Sequence, residues 1–212
     1  MTAIRPSRDM RWISLYVVCT GMLMIVLDTT IVNVALPAIA RELGFAQAGL
    51  AWVINAYLVA FAGLLLLSGR LGDLFGSKRV FLIGLGLFTL SSLACGLSFS
   101  APMLVAARFV QGIGGAMTSA VILAMIATTF ENQGERTRAM GVFSFAASAG
   151  GSIGLLIGGT ITQSFGWHWV FLINIPIGSR RSRSGRVRSR KLRAHLQRPA
   201  PTSSVRSQLH RL

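Results

Sequence analysis

Two apolar runs, at residues 51–68 and 80–99, flank a charged, glycine-punctuated stretch: Gly69-Arg70-Leu71-Gly72-Asp73-Leu74-Phe75-Gly76-Ser77-Lys78-Arg79-Val80. Each run is close to the roughly 20 residues a helix needs to cross a bilayer. The stretch between them is too short to hold a domain, so the runs read as neighbouring antiparallel membrane helices. Three cations and one carboxylate in so small a loop point to the cytoplasmic side.

The rest of the chain repeats this pattern. Apolar runs predict helices at about 12–36, 48–68, 80–99, 103–124 and 139–161, with a partial sixth at 169–178. Pro37 and Gly44 are expected to break helix 1 into an outer loop carrying Arg41 and Glu42. Pro102 suits the first turn of helix 4. Residues 130–138 read as a polar loop. Ala38-Ile39-Ala40 has the small-residue look of a signal-peptide cleavage site. The preceding run is too long for a signal peptide, contains Asp28 and is followed by further spans, so helix 1 is read as retained. The sixth run has ten residues, about 15 Å of helix, which cannot cross a core of roughly 30 Å.

Lys and Arg number three in the N-terminal segment 1–11, then one, three, none, two and none in successive loops. Cytoplasmic loops keep the cations. The alternation predicts a multi-pass protein of the inner or plasma membrane with a cytoplasmic N-terminus.

Composition agrees. Apolar residues make up 52% and charged residues 13%, against about 25% charged in a soluble domain. The net charge of +15 is unevenly spread: residues 1–178 hold ten Lys/Arg and six Asp/Glu, while 179–212 hold eleven Lys/Arg and no acid. A segment so basic and so poor in large apolar residues cannot bury enough surface to fold alone. The favoured reading of 179–212 is a frame slip or truncation near residue 178. A polybasic tail on anionic lipid and a nucleic-acid arm are the alternatives, and no nucleic-acid partner is expected. Cys19 and Cys95 lie inside apolar runs with no metal spacing and no disulfide framework, and read as small apolar filler.

Ionisable residues inside a membrane are costly and functional. Asp28 lies about 24 Å along helix 1 from the inner face, and Arg108 about 9 Å into helix 4 from the outer face. Both fall in the outer half of the core, so a direct or water-bridged pair is open, as is a purely structural one. Glycines supply a second signal. Gly150, Gly154 and Gly158 recur every four residues, with Gly159 beside them, and Gly112 and Gly115 open similar spacings in helix 4. Such spacing lets another backbone approach one helix face. No metal cluster, nucleophile elbow or phosphate-binding loop is present, which argues against an enzyme with catalytic residues or a metal. His168 stands alone, with Trp167 and Trp169 as an interfacial aromatic belt.

On these residues the chain resembles the major facilitator superfamily. Gly69, Leu71, Gly72, Asp73, Gly76, Lys78 and Arg79 are similar to its helix 2–3 motif, with Ser77 at the first basic position. Leu27-Asp28-Thr29-Thr30-Ile31-Val32-Asn33-Val34-Ala35-Leu36-Pro37 resembles the motif of the 14-helix drug:proton antiporter branch. Arg108-Phe109-Val110-Gln111-Gly112-Ile113-Gly114-Gly115 resembles the helix 4 motif. Gly154-Leu155-Leu156-Ile157-Gly158-Gly159 resembles the antiporter motif, with Leu155 where proline is expected. Trp167 to Gly178 is similar to the start of helix 6.

The resemblance covers about 12–178. It implies an all-α membrane protein, the N-terminal half of a major facilitator fold built from two inverted three-helix repeats. Helices 1 and 4 would be symmetry mates lining a central cavity. It implies proton-coupled efflux of lipophilic small molecules by alternating access, with no cofactor beyond the proton. Arg108 would act in proton coupling, with Asp28, Asn33 and Gln111 in the same cavity. The helix 2–3 motif would latch the two halves; independently of the resemblance, a helix dipole and nearby Arg/Lys groups would hold Asp73 if it lies near a helix N-terminus. The expected partners are the bilayer, a lipophilic substrate and a missing C-terminal half. Without that half the chain would not transport alone. The rival readings are a non-catalytic or regulatory membrane remnant and a protein that binds anionic surfaces through its tail.

Overall fold

The computed structural model describes residues 8–175. The start of the N-terminal segment, the end of the sixth run and the basic segment 179–212 lie outside the described residues. The chain forms α1 (Arg8–Leu43), α2 (Gln47–Phe75), α3 (Ser77–Gly96), α4 (Ala101–Thr129), α5 (Gln133–Phe165) and a short α6 (His168–Leu172). The first five are long and apolar enough to cross a membrane.

The helices outrun the apolar segments that reveal them. α1 continues through Pro37 and carries Arg41 in its last turn, where the sequence suggested a loop. α5 begins at Gln133 rather than near residue 139, so Glu135, Arg136 and Arg138 ride on its first turns. The reason is physical: hydropathy marks the hydrocarbon thickness, whereas backbone hydrogen bonding continues into the headgroup zone. At 36 residues, α1 is about 54 Å long.

The largest correction falls on the stretch 69–80. It is not a loop: α2 runs to Phe75, α3 starts at Ser77, and one residue separates them. That residue, Gly76, has φ +90, a conformation L side chains rarely adopt. The chain also reverses at Gly44 (φ +64) and Gly166 (φ +88). At the start of α5 the Asn132 side chain accepts from the Gly134 and Glu135 amides, capping two N–H groups that lack helical partners.

Packing divides the bundle into two groups. α4 packs extensively on α2 and α3, and α1 packs on α5; α1 and α4 share a much smaller contact. This pairing suits two inverted repeats, since exchanging one triplet for the other maps α1 on α5 to α4 on α2.

Glycines set the close approaches. A Cβ on Gly112 would strike the Tyr57 carbonyl, one on Gly115 would lie 2.8 Å from the Tyr57 hydroxyl, and one on Gly158 3.0 Å from Ile31 Cγ2. Gly150 and Gly154 face Leu23, Val26 and Thr30 in the same way. Gly159 is different from its expected role, with nothing within 4 Å of its Cβ position. Gly72, expected in the latch motif, is also a packing glycine, its Cβ position 2.6 Å from Val121 Cγ1.

The core is two stacked apolar clusters. One gathers Leu15, Cys19, Ile25, Phe81, Phe88, Val121 and Phe130. The other gathers Leu27, Ile31, Val53, Leu104, Trp167 and Phe171. Many large apolar side chains face outward, among them Leu66, Leu74, Phe145 and Leu156, as suits a surface solvated by lipid.

Candidate functional site

A polar layer lies where the two clusters meet. On α1, Asp28 follows directly on Leu27; on α4, Arg108 and Gln111 follow Ala107; on α3, Ser91 and Ser92 separate Phe88 from Cys95. Asp28 and Arg108 are each 1% exposed, and Gln111, Ser92 and Asn174 are fully buried.

The two charges the sequence singled out are in direct contact. Arg108 Nη1 donates to Asp28 Oδ2 at 2.6 Å. The same nitrogen donates to Gln111 Oε1 at 2.7 Å, and Arg108 Nε donates to the Val53 carbonyl at 3.1 Å. Gln111 turns its amide back on the acid, Nε2 donating to Asp28 Oδ1 at 2.8 Å. Gln111 and Arg108 sit three residues apart on one helix, which puts them on one face. The Arg108 guanidinium also lies 4.4 Å over the Tyr57 ring and 5.9 Å from the Phe171 ring centroid, a cation–π arrangement that is stronger out of water. Removing two charges from water is costly unless geometry and further hydrogen bonds compensate, and both conditions are met.

Sequence reasoning missed part of this layer. Asn174 Nδ2 donates to Asp28 Oδ1 at 3.2 Å and to Ser92 Oγ at 3.0 Å. Ser92 in turn donates to the Phe171 carbonyl at 2.9 Å. Cys95, read as filler, places Sγ 3.6 Å from Gln111 Oε1. The signal available was a lone amide in the short sixth apolar run.

Asn33 is not brought to the layer. It is exposed on α1 and donates to the Thr29 carbonyl one turn back at 2.7 Å. Asp73 lies in the last turn of α2, exposed. Lys78 and Arg79 are exposed on the first turn of α3. The two tryptophans expected to form an aromatic belt differ in exposure. Trp169 is exposed, but Trp167 is buried; it stacks on His168 at 3.8 Å and donates to Glu42 at 2.8 Å. His168 is therefore not alone, and Glu42 also lies 3.8 Å from its Nε2.

Among the described residues, five helices long and apolar enough to span a membrane, with a buried acid–base layer between them, define a polytopic membrane protein of transporter architecture. The chain belongs to the Major Facilitator Superfamily, whose profile matches residues 18–179. It is 46% identical over 165 residues to the cephamycin export protein CmcT of Amycolatopsis lactamdurans, covering 78% of this chain and 34% of that protein. It is 42% identical to the puromycin resistance protein pur8 of Streptomyces alboniger, covering 79% and 33%. With a methylenomycin A resistance protein of Bacillus subtilis it shares 39% identity, covering 84% and 38%. The chain thus spans about a third of the length of these curated relatives. Among solved structures it resembles a bacterial homologue of the human lysosomal transporter Spinster in an inward-facing, unoccupied conformation. There the TM-score is 0.67 at 18% identity, over 82% of this chain and 41% of that one.

Proposed function

We propose that this chain is part of a proton-coupled efflux transporter that exchanges protons for drugs or other lipophilic small molecules. It sits in the cell's inner or plasma membrane with its N-terminus on the cytoplasmic side. The observation that carries the reading is the Asp28 carboxylate, 1% exposed and bonded to Arg108 at 2.6 Å. Ionised, Asp28 balances Arg108. Protonated, it loses that balance while Arg108 keeps its charge, so proton uptake changes the electrostatics of the bundle's centre. A buried acid–base pair inside a membrane span is the usual mark of an ion pathway. Relatives named for export of cephamycin and for resistance to puromycin and methylenomycin support the substrate class.

Alternating access rocks one bundle against another around a midplane site. The bundle of α1–α6 therefore supplies the proton site and one wall of a substrate path, and does not transport by itself. Exposed Asn33 and the helix 2–3 motif face partners supplied from elsewhere: Asn33 a substrate, and Asp73 a second bundle. The proton is the coupling ion, and no other cofactor takes part.

The test is Arg108→Ala in the full-length transporter reconstituted in vesicles. Substrate-driven proton movement is expected to vanish. Wild-type proton movement in that variant would overturn the reading.

A further inference from the structure

We infer that Asn174, braced by Ser92, is a positioning residue for Asp28, supplying the third side-chain donor that holds this carboxylate ready to give up its proton. The inference rests on the reading of Asp28 as the proton site and deepens it.

Asp28 Oδ2 accepts from Arg108, and Oδ1 accepts from both Gln111 and Asn174. Arg108 and Gln111 come from α4. Asn174 comes from the residues just after α6, so it is the donor that ties the acid to a different part of the bundle. Its two amide hydrogens match its two contacts, Asp28 Oδ1 and Ser92 Oγ. The Ser92 hydroxyl spends its own hydrogen on the Phe171 carbonyl at 2.9 Å. Ser92 therefore meets Asn174 as an acceptor, and this fixes the amide with nitrogen toward the acid. Both side chains are fully buried, so water does not compete for these bonds.

Hydrogen bonds to the charged form of an acid favour that form. Asn174 thus favours the ionised carboxylate without adding a charge, beside the charged donor Arg108. The ionisable groups facing Asp28 are Arg108 from α4, Tyr57 from α2 and Cys95 from α3. α5 meets α1 through Gly150, Gly154 and Gly158, with its acid and bases in its first turns at the far end. The α6 base, His168, stands against Glu42 at the end of α1.

The experiment uses the 212-residue chain in lipid nanodiscs and the apolar carboxyl reagent dicyclohexylcarbodiimide, which modifies protonated acids. Labelling of Asp28 is read by peptide mass spectrometry across the neutral pH range, with exposed Asp73 as internal reference. In Asn174→Ala the labelling profile is expected to move about one unit toward higher pH, roughly tenfold in rate at a fixed pH on its slope. Ser92→Ala, which frees the amide to turn, moves it in the same direction by less. Val170→Ala removes buried apolar packing from α6 but no donor, and leaves the profile in place.

A wild-type profile in both Asn174→Ala and Ser92→Ala overturns the inference, and so does an equal displacement in Val170→Ala. If Asn174→Ala does not fold, Ser92→Ala decides alone. Absence of Asp28 labelling in every variant, Arg108→Ala included, would overturn the proton-site reading itself and the inference with it.

Discussion

Asp28 and Asp73 are both carboxylates on spanning helices, and their surroundings are opposite. Asp28 accepts from Arg108, Gln111 and Asn174, and is 1% exposed. Asp73 stands exposed three residues before the Gly76 turn, and no hydrogen bond or ion pair to it is made among the described residues. The first acid finds its partners on α4 and in the residues just after α6. The second belongs to a junction whose backbone is fixed and whose charges point outward. A buried charge cannot be left waiting for a partner in another bundle, because an unpaired ion in a low-dielectric interior is too costly. A charge at a helix end, near the headgroups, can.

The comparison is open to direct test, and the largest effect is expected at the buried pair. Arg108→Ala strands Asp28 without its counter-ion and should lower stability by about 3–5 kcal/mol, read as a fall in the thermal midpoint of the purified chain in detergent. A small change there would mean that the layer is already wet, and the contrast with Asp73 would weaken.

Next comes the packing beside the pair. Gly112→Ala drives a methyl into the Tyr57 carbonyl and should cost about 1–3 kcal/mol. Gly159→Ala, with open space at its Cβ position, should fall within about 0.5 kcal/mol of neutral. Equal effects would show that the close approach of α4 to the Tyr57 carbonyl does not set stability.

The junction gives the third prediction. Gly76→Ala forces a side chain on a residue at φ +90 with nothing near its Cβ. The expected cost, about 1–3 kcal/mol, is pure backbone strain. Far-ultraviolet circular dichroism during unfolding reads it, and a neutral result would mean that α2 and α3 are joined differently.

The smallest effect is expected at Asp73→Asn: within about 0.5 kcal/mol on stability, yet a clear loss of transport in the full-length protein. Loss of stability without loss of transport would reverse the roles assigned to the two acids.

How much of this could be read beforehand differs by feature. The five spans were legible because apolar runs of bilayer length have few other uses. Their ends were not, because α1 and α5 carry polar residues on continuous helix beyond the hydrocarbon. Asp28 and Arg108 were legible from depth alone. Ser92 and Asn174 were not, and the neighbouring serine shows why. Ser91 donates to the Leu87 carbonyl in its own helix, at 2.7 Å. Ser92, one position on, donates to Phe171 in another element. Small hydroxyl residues in helices commonly bond their own preceding turn, so nothing in the sequence separates the two. Only the rotation of α3 against α6 decides which serine becomes structural filler and which becomes part of the site.

The division of the helices into α1 with α5, and α4 with α2 and α3, has a mechanical consequence. The helix backbones of the two groups come close at few places, their side chains meet in the shared apolar clusters, and Asp28 on one side is fastened to Arg108 and Gln111 on the other. The carboxylate is therefore a rivet between two stiff plates of helices, a polar fastening a few ångströms wide in a seam otherwise closed by apolar side chains.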